Sequence, residues 1–180
     1  MRLTNMEAGR QEKAVRSLYR EAFPRSEKKP WWMLKKLEKK GNAEFLCIED
    51  EEGGFEGLAI MMIWGDLALL DYFAISPECR GQNVGSRALC ALQQRYGDKK
   101  LLLEIESTTG LEPEPENPGE KLRRKAFYLR NGMTPMDYLV DLFGVEVEVL
   151  THGSSVTFEE YHSIFENLFP AFLAKKVRRI

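Results

Sequence analysis

The stretch "SPECRGQNVGSRAL", Ser76 to Leu89, decides how the chain is read. The residues before it, "LALLDYFAIS" (67–76), are apolar and aromatic and follow a Gly65-Asp66 turn signal, as a strand does. From Val84 onward the pattern turns helical, with Val84, Ala88, Leu89, Ala91, Leu92 and Tyr96 on one face and Gly97 closing it. Between strand and helix lies Arg80-Gly81-Gln82-Asn83-Val84-Gly85-Ser86. The first amides of a helix lack intrahelical acceptors, and its dipole adds roughly half a positive charge there. The small or turn-forming Gly81, Asn83, Gly85 and Ser86 let a ligand approach the backbone, and Arg80 adds a formal charge. The turn is suited to a phosphate or pyrophosphate. A strand-to-helix loop with glycines for tight packing is the alternative, and the turn alone does not choose. No Gly-x-x-x-x-Gly-Lys-Ser/Thr motif is present, and the dinucleotide fingerprint needs an early βαβ unit that this order lacks.

Working outward, "RQEKAVRSLYREAF" (10–23) carries Val15, Leu18, Tyr19 and Ala22 at helical spacing, and Pro24 stops it. Pro30 opens a second helix that ends at Gly41. Strands are predicted at 43–50, 55–64, 67–76, 99–107, 135–142 and 144–151, with helices at 84–97 and 120–132. The stretch 108–119, "TTGLEPEPENPG", reads as a long loop, which in a compact domain often lies at a functional site. Two short helices split by Pro170 finish the chain, and Lys175, Lys176, Arg178 and Arg179 suit a helix C-terminus. The order predicts an α/β (α+β) fold: a mixed central sheet of about six to seven strands flanked by helices. The helix at 84–97 makes a right-handed parallel crossover between the strands at 67–76 and 99–107. A domain over 1–152 and a C-terminal helical extension over 153–180 are expected. The extension packs on the domain or forms a homodimer interface.

The 180 residues suit one domain. A net charge of −2 supplies no global basic field for nucleic acid or anionic membrane. Cys47, Cys79 and Cys90 show no Cys-x-x-Cys spacing, and with only His152 and His162 beside them no metal site is expected. The N-terminal residues lack an apolar signal core and no run reaches 18 apolar residues, so the expected location is cytoplasmic.

"CRGQNVGSRAL" resembles the acetyl-CoA pyrophosphate loop of the GNAT superfamily of N-acetyltransferases, usually Arg/Gln-x-x-Gly-x-Gly/Ala. Arg80 and Gly85 match its ends, and Asn83 stands where the family has glycine. "RKAFYLRNGM" (124–133) resembles the family's Ala-x-x-Phe-Tyr-x-x-x-Gly-Phe segment, with Tyr128 and Gly132 in register and Met133 in place of the aromatic. Lys121 replaces an asparagine common seven residues before the tyrosine. The element order agrees from about residue 1 to 150.

The resemblance implies acetyl transfer from acetyl-CoA, the cosubstrate, to a primary amine by direct attack in a ternary complex. It implies that Gln82 to Ser86 offer amides to the pyrophosphate, that Phe73, Ala74 and Ile75 pair with the pantetheine arm, and that an N–H near Phe73 polarises the thioester carbonyl. Tyr128 stands where the family places the acid that protonates the departing thiolate. The acceptor amine must lose a proton, since an amine of pKa about 10.4 is only about 0.04% neutral at pH 7. Glu104 and Glu106 share one face of their strand by alternation and are the candidate bases, with Asp71 a third. Arg123, Arg124 and Lys125 read as a solvated helix face or as contacts to the cofactor's 3′-phosphate. Of Trp31 and Trp32, only one can face a given core. Two other readings stand: a CoA-binding regulatory or sensor domain that has lost turnover, and an interaction module without a CoA site.

Overall fold

The computed structural model describes residues 1–110 and 119–180. These form two compact units, Met1–Ile63 with Leu70–Tyr96, and Trp64–Leu69 with Gly97–Ile180. Eight strands and six α-helices occur among the described residues.

In the first unit β1 (Arg2–Asn5) precedes α1 (Arg10–Ala22) and α2 (Trp31–Lys39), and β2 (Ala43–Glu49), β3 (Phe55–Trp64) and β4 (Leu67–Ile75) follow. The strand order is β1-β2-β3-β4. β1 pairs antiparallel with β2 in the register Arg2↔Glu49, and β2 pairs antiparallel with β3. Val15, Leu18 and Tyr19 of α1 and Leu34 and Leu37 of α2 are buried, the faces their spacing predicts. Pro30 caps α2 as expected, because its fixed φ suits a helix start and its missing N–H is not needed there. β4 runs through a 3₁₀ turn (Pro77–Cys79) into α3 (Val84–Arg95). Gly57 on β3 has a structural reason: a Cβ there would lie 2.5 Å from the Ala74 carbonyl oxygen. A side chain at 57 would push the end of β4 away.

In the second unit the order is β5-β7-β6-β8, all antiparallel, from β5 (Lys100–Glu106), β6 (Met133–Leu142), β7 (Val145–His152) and β8 (Val177–Arg179). α4 (Gly119–Arg130) lies between β5 and β6 in sequence. α5 (Phe158–Leu168) buries Tyr161, Ile164 and Phe165, and α6 (Ala171–Ala174) follows Pro170. α5 starts in a capping box in which Thr157 accepts from the Glu160 amide and Glu160 accepts from the Thr157 amide. Glu160 also pairs with Lys100 of β5.

Two expectations change. The sheet strands number eight rather than six to seven, because β1 and β8 are too short to show a period. Lys175 and Lys176 do end a helix, α6, whereas Arg178 and Arg179 lie on a short strand at the end of the order. Val177 is buried opposite Leu142, Arg178 pairs with Asp141 at 2.6 Å, and the Arg179 guanidinium lies 5.7 Å from the centre of the Tyr138 ring. The core of the predicted loop at 108–119, residues 111–118, lies outside the described residues.

Candidate active site

The turn that opened the sequence reading is built in the first unit. Asn83 is the residue before α3 and has φ 60° and ψ 13°, the left-handed conformation that glycine adopts freely. Asparagine tolerates it better than most residues. Gly81 is also at positive φ, 75°. The Asn83 side chain makes no capping bond, so the amides of Val84, Gly85 and Ser86 keep the donor character of a helix start. Arg80 Nε donates to the Ile75 carbonyl at 3.1 Å, which ties the guanidinium to the end of β4. Gln82 Nε2 donates to the Glu78 carbonyl at 3.1 Å. Ahead of the turn Phe73 and Ile75 pack on the buried cluster of Ile48, Val84 and Ala88, which fixes β4 against α3, while Ala74 is buried on the other face. The Cys79 thiol is pushed up by burial and then by the carboxylates of Glu56, Glu78 and Asp50, so it is not an activated nucleophile.

The same unit holds an aromatic group around the connection between α1 and α2. Tyr19 and Phe23 meet Tyr72 edge-on at 4.8 and 5.0 Å between ring centres, and Trp31 meets Phe45 edge-on at 5.0 Å. Trp32 is 65% exposed. Tyr72 accepts from the Lys29 amide and donates to the Glu27 carbonyl, and Tyr19 donates to the Lys29 carbonyl. Burial pushes the Tyr19 hydroxyl up to about 12 and the Tyr72 hydroxyl higher still, so both stay protonated donors. Lys29 Nζ pairs with Asp71 Oδ1 at 2.7 Å.

In the second unit Tyr128 of α4 is buried and packs edge-on against Phe127 at 5.1 Å. Burial raises its hydroxyl to about 12, with Arg124 opposing the shift. Its hydroxyl makes no hydrogen bond among the described residues. Glu104 and Glu106 do share a face of β5, both half-buried beside buried Leu103 and Ile105. Their partners differ. Glu104 Oε1 accepts from the Tyr161 hydroxyl at 2.6 Å, and Glu106 pairs with Lys121 at 3.1 Å. Arg124 pairs with Glu120 at 2.9 Å. Lys125 is committed to a cleft of about 440 Å³ lined by Thr108, Met136, Tyr138 and Ile180 among others. There its ammonium reaches Glu148 Oε2 at 2.6 Å and Thr108 Oγ1 at 3.0 Å, while Glu148 Oε1 accepts from the Thr108 amide and hydroxyl. Burial alone would raise the Glu148 carboxyl; Lys125 and the two Thr108 bonds outweigh it and hold the group below its ordinary value. Lys125 therefore has a structural partner, which its sequence neighbours do not reveal.

No family model and no curated protein sequence matches the chain. Solved structures do. A Bacteroides thetaiotaomicron protein ascribed to the GNAT acetyltransferase family superposes with a TM-score of 0.76 at 20% identity, covering 97% of this chain and 99% of that one. The chain has the GNAT fold. A Vibrio cholerae spermidine N-acetyltransferase, in complex with CoA and spermine, gives a TM-score of 0.61 at 14% identity over 83% of this chain and 93% of that one. A mutant of the same spermidine N-acetyltransferase gives 0.60 at 15% identity. No helix among the described residues is long and apolar enough to cross a membrane.

Proposed function

We propose that the chain is an acetyl-CoA-dependent N-acetyltransferase that acetylates a primary amine by direct attack in a ternary complex. The observation that carries this reading is the left-handed Asn83 at the start of α3, in a chain with the GNAT fold. A strand that ends in a turn of this shape presents consecutive amides to an anion, and the pyrophosphate of CoA is the anion the fold suits. In this reading Arg80, Gly81, Gln82, Asn83, Val84, Gly85 and Ser86 hold the pyrophosphate. Phe73, Ala74 and Ile75 pair with the pantetheine arm as an added strand. The N–H near Phe73 polarises the thioester carbonyl.

Tyr128 protonates the leaving thiolate. A phenol held near 12 keeps its proton across the working pH range, and its hydroxyl has no competing protein acceptor among the described residues. Glu104 and Glu106 are the proposed bases, each through water. Glu104 Oε1 accepts from the Tyr161 hydroxyl, and Glu106 pairs with Lys121 in an ion pair open to solvent. The amine attacks the thioester carbonyl carbon, the tetrahedral intermediate expels CoA thiolate, and the amine's proton leaves through the base. The complex of the Vibrio cholerae relative with CoA and spermine supports a cosubstrate and an amine of this kind. The test mixes the protein with acetyl-CoA and a panel of amines. Free thiol and N-acetyl product should appear together. Tight CoA binding with no thiol release by any amine would favour a sensor.

A further inference from the structure

Asp71 is an unusual carboxylate for a strand. Its side chain is 4% exposed; Oδ1 binds the Lys29 ammonium at 2.7 Å, and Oδ2 is buried with no hydrogen-bond partner. A buried acceptor left unmade is destabilising, and such groups call for an explanation. Lys29 comes from the α1–α2 connection, and its Nζ also lies 5.4 Å from the centre of the Tyr72 ring. An anion on one side and a π face on another is the chemistry that recognises an alkylammonium.

The path of Lys29 places this pocket. Successive strand residues point to opposite faces. Phe73 and Ile75, on the face of Asp71, pack toward α3, whereas Tyr72 meets α1. The Lys29 ammonium meets both the Asp71 carboxylate and the Tyr72 ring, which belong to successive residues of β4. At about 3.3 Å per residue this ammonium lies roughly 7 Å along the strand from Phe73. The Lys29 backbone is held independently, by the Tyr19 and Tyr72 hydroxyls. The side chain is 20% exposed, so solvent reaches the pair.

We propose that Asp71 and the Tyr72 face form a seat for a primary ammonium at the end of an unbranched methylene chain, and that Lys29 fills this seat until such a ligand displaces it. A free ammonium carries three donors and can bridge both Asp71 oxygens, including the one Lys29 leaves unpaired. The seat names the acceptor class for the acetyl-transfer reading, and as an acceptor site it rests on that reading.

The test removes the occupant and returns it in pieces. Lys29→Ala deletes the side chain beyond Cβ, and n-propylammonium replaces the lost atoms. At several times its Kd this amine should raise the Tm of Lys29→Ala by about 2–4 °C, while tetramethylammonium at equal ionic strength does not. The wild type should respond less, because its own lysine competes. Adding Asp71→Asn to Lys29→Ala should abolish the effect. If Lys29→Ala does not fold alone, n-propylammonium and not tetramethylammonium should restore its near-UV circular dichroism. No stabilisation or rescue, or an equal effect in the Asp71→Asn background, overturns the seat. The assay contains no CoA. Thiol release by the wild type without amine binding in the variant removes the seat alone, and amine binding without thiol release removes the reaction and leaves the seat.

Discussion

Between β4 and α3 the chain leaves backbone donors open, whereas at Thr108, just after β5, the described polar groups close on Glu148 and Lys125. In the first passage the Asn83 side chain makes no capping bond to α3, and Arg80 and Gln82 donate to the carbonyls of Ile75 and Glu78. In the second, Thr108 gives both its amide and its hydroxyl to Glu148, and Lys125 completes the network. A turn that binds an anion must keep its donors unfilled and its backbone set. A segment that must stay in place needs its donors filled. The contrast separates the residues proposed to take a ligand from those that hold the frame.

Breaking the closed network should have the largest effect. Lys125→Met leaves Glu148 charged beside Thr108 without its cation, and about 3 kcal/mol of stability should be lost in a denaturant titration. The pH dependence sharpens this. The Glu148 carboxyl is held below its ordinary value of 4.5, so its contribution is complete above that pH and is lost as the pH falls through the lowered value. In Lys125→Met the loss should begin at a higher pH. Next comes chemistry: Tyr128→Phe should lower turnover about 100-fold with CoA affinity nearly unchanged, measured by steady-state kinetics and titration. Equal turnover would take Tyr128 out of the mechanism.

Gly57→Ala acts on the open passage from behind. Its Cβ would meet the Ala74 carbonyl, and a destabilisation of about 1–3 kcal/mol with weaker CoA binding should follow. The smallest effect should come from Asn83 itself. Asn83→Ala forces a left-handed alanine at a cost of about 1 kcal/mol, or about fivefold in CoA affinity if the strain falls on the bound turn, while Asn83→Gly should bind CoA as well as the wild type.

Much of the fold could be read from the chain because long periodic segments carry their own evidence. The faces of α1 and α3 and the alternation of Glu104 and Glu106 with Leu103 and Ile105 on β5 appear in the structure as the spacing predicts. β1 and β8 could not be read, since four and three residues show no period and their stability comes from partners far along the chain. Arg178 and Arg179 misled for the same reason: after two lysines that do end α6 they look like more of the helix end until Asp141 is found opposite Arg178. Local signals marked the turn before α3, and the left-handed backbone of Asn83 is what they asked of it. The environments of the carboxylates were hidden. Alternation put Glu104 and Glu106 on one face, but the Tyr161 hydroxyl that engages Glu104 lies 57 residues away in sequence. Lys29 lies 42 residues before Asp71, and nothing in "LALLDYFAIS" marks that pairing.

The central claim is that the open amides at the start of α3 hold the pyrophosphate of acetyl-CoA. Amide NMR spectra of the isotopically labelled chain, recorded during a titration with CoA, test it most directly. The largest shifts should fall on Gly81 to Ser86 and should weaken in Asn83→Ala. CoA binding that leaves these amides unmoved, or no binding at all, would contradict it.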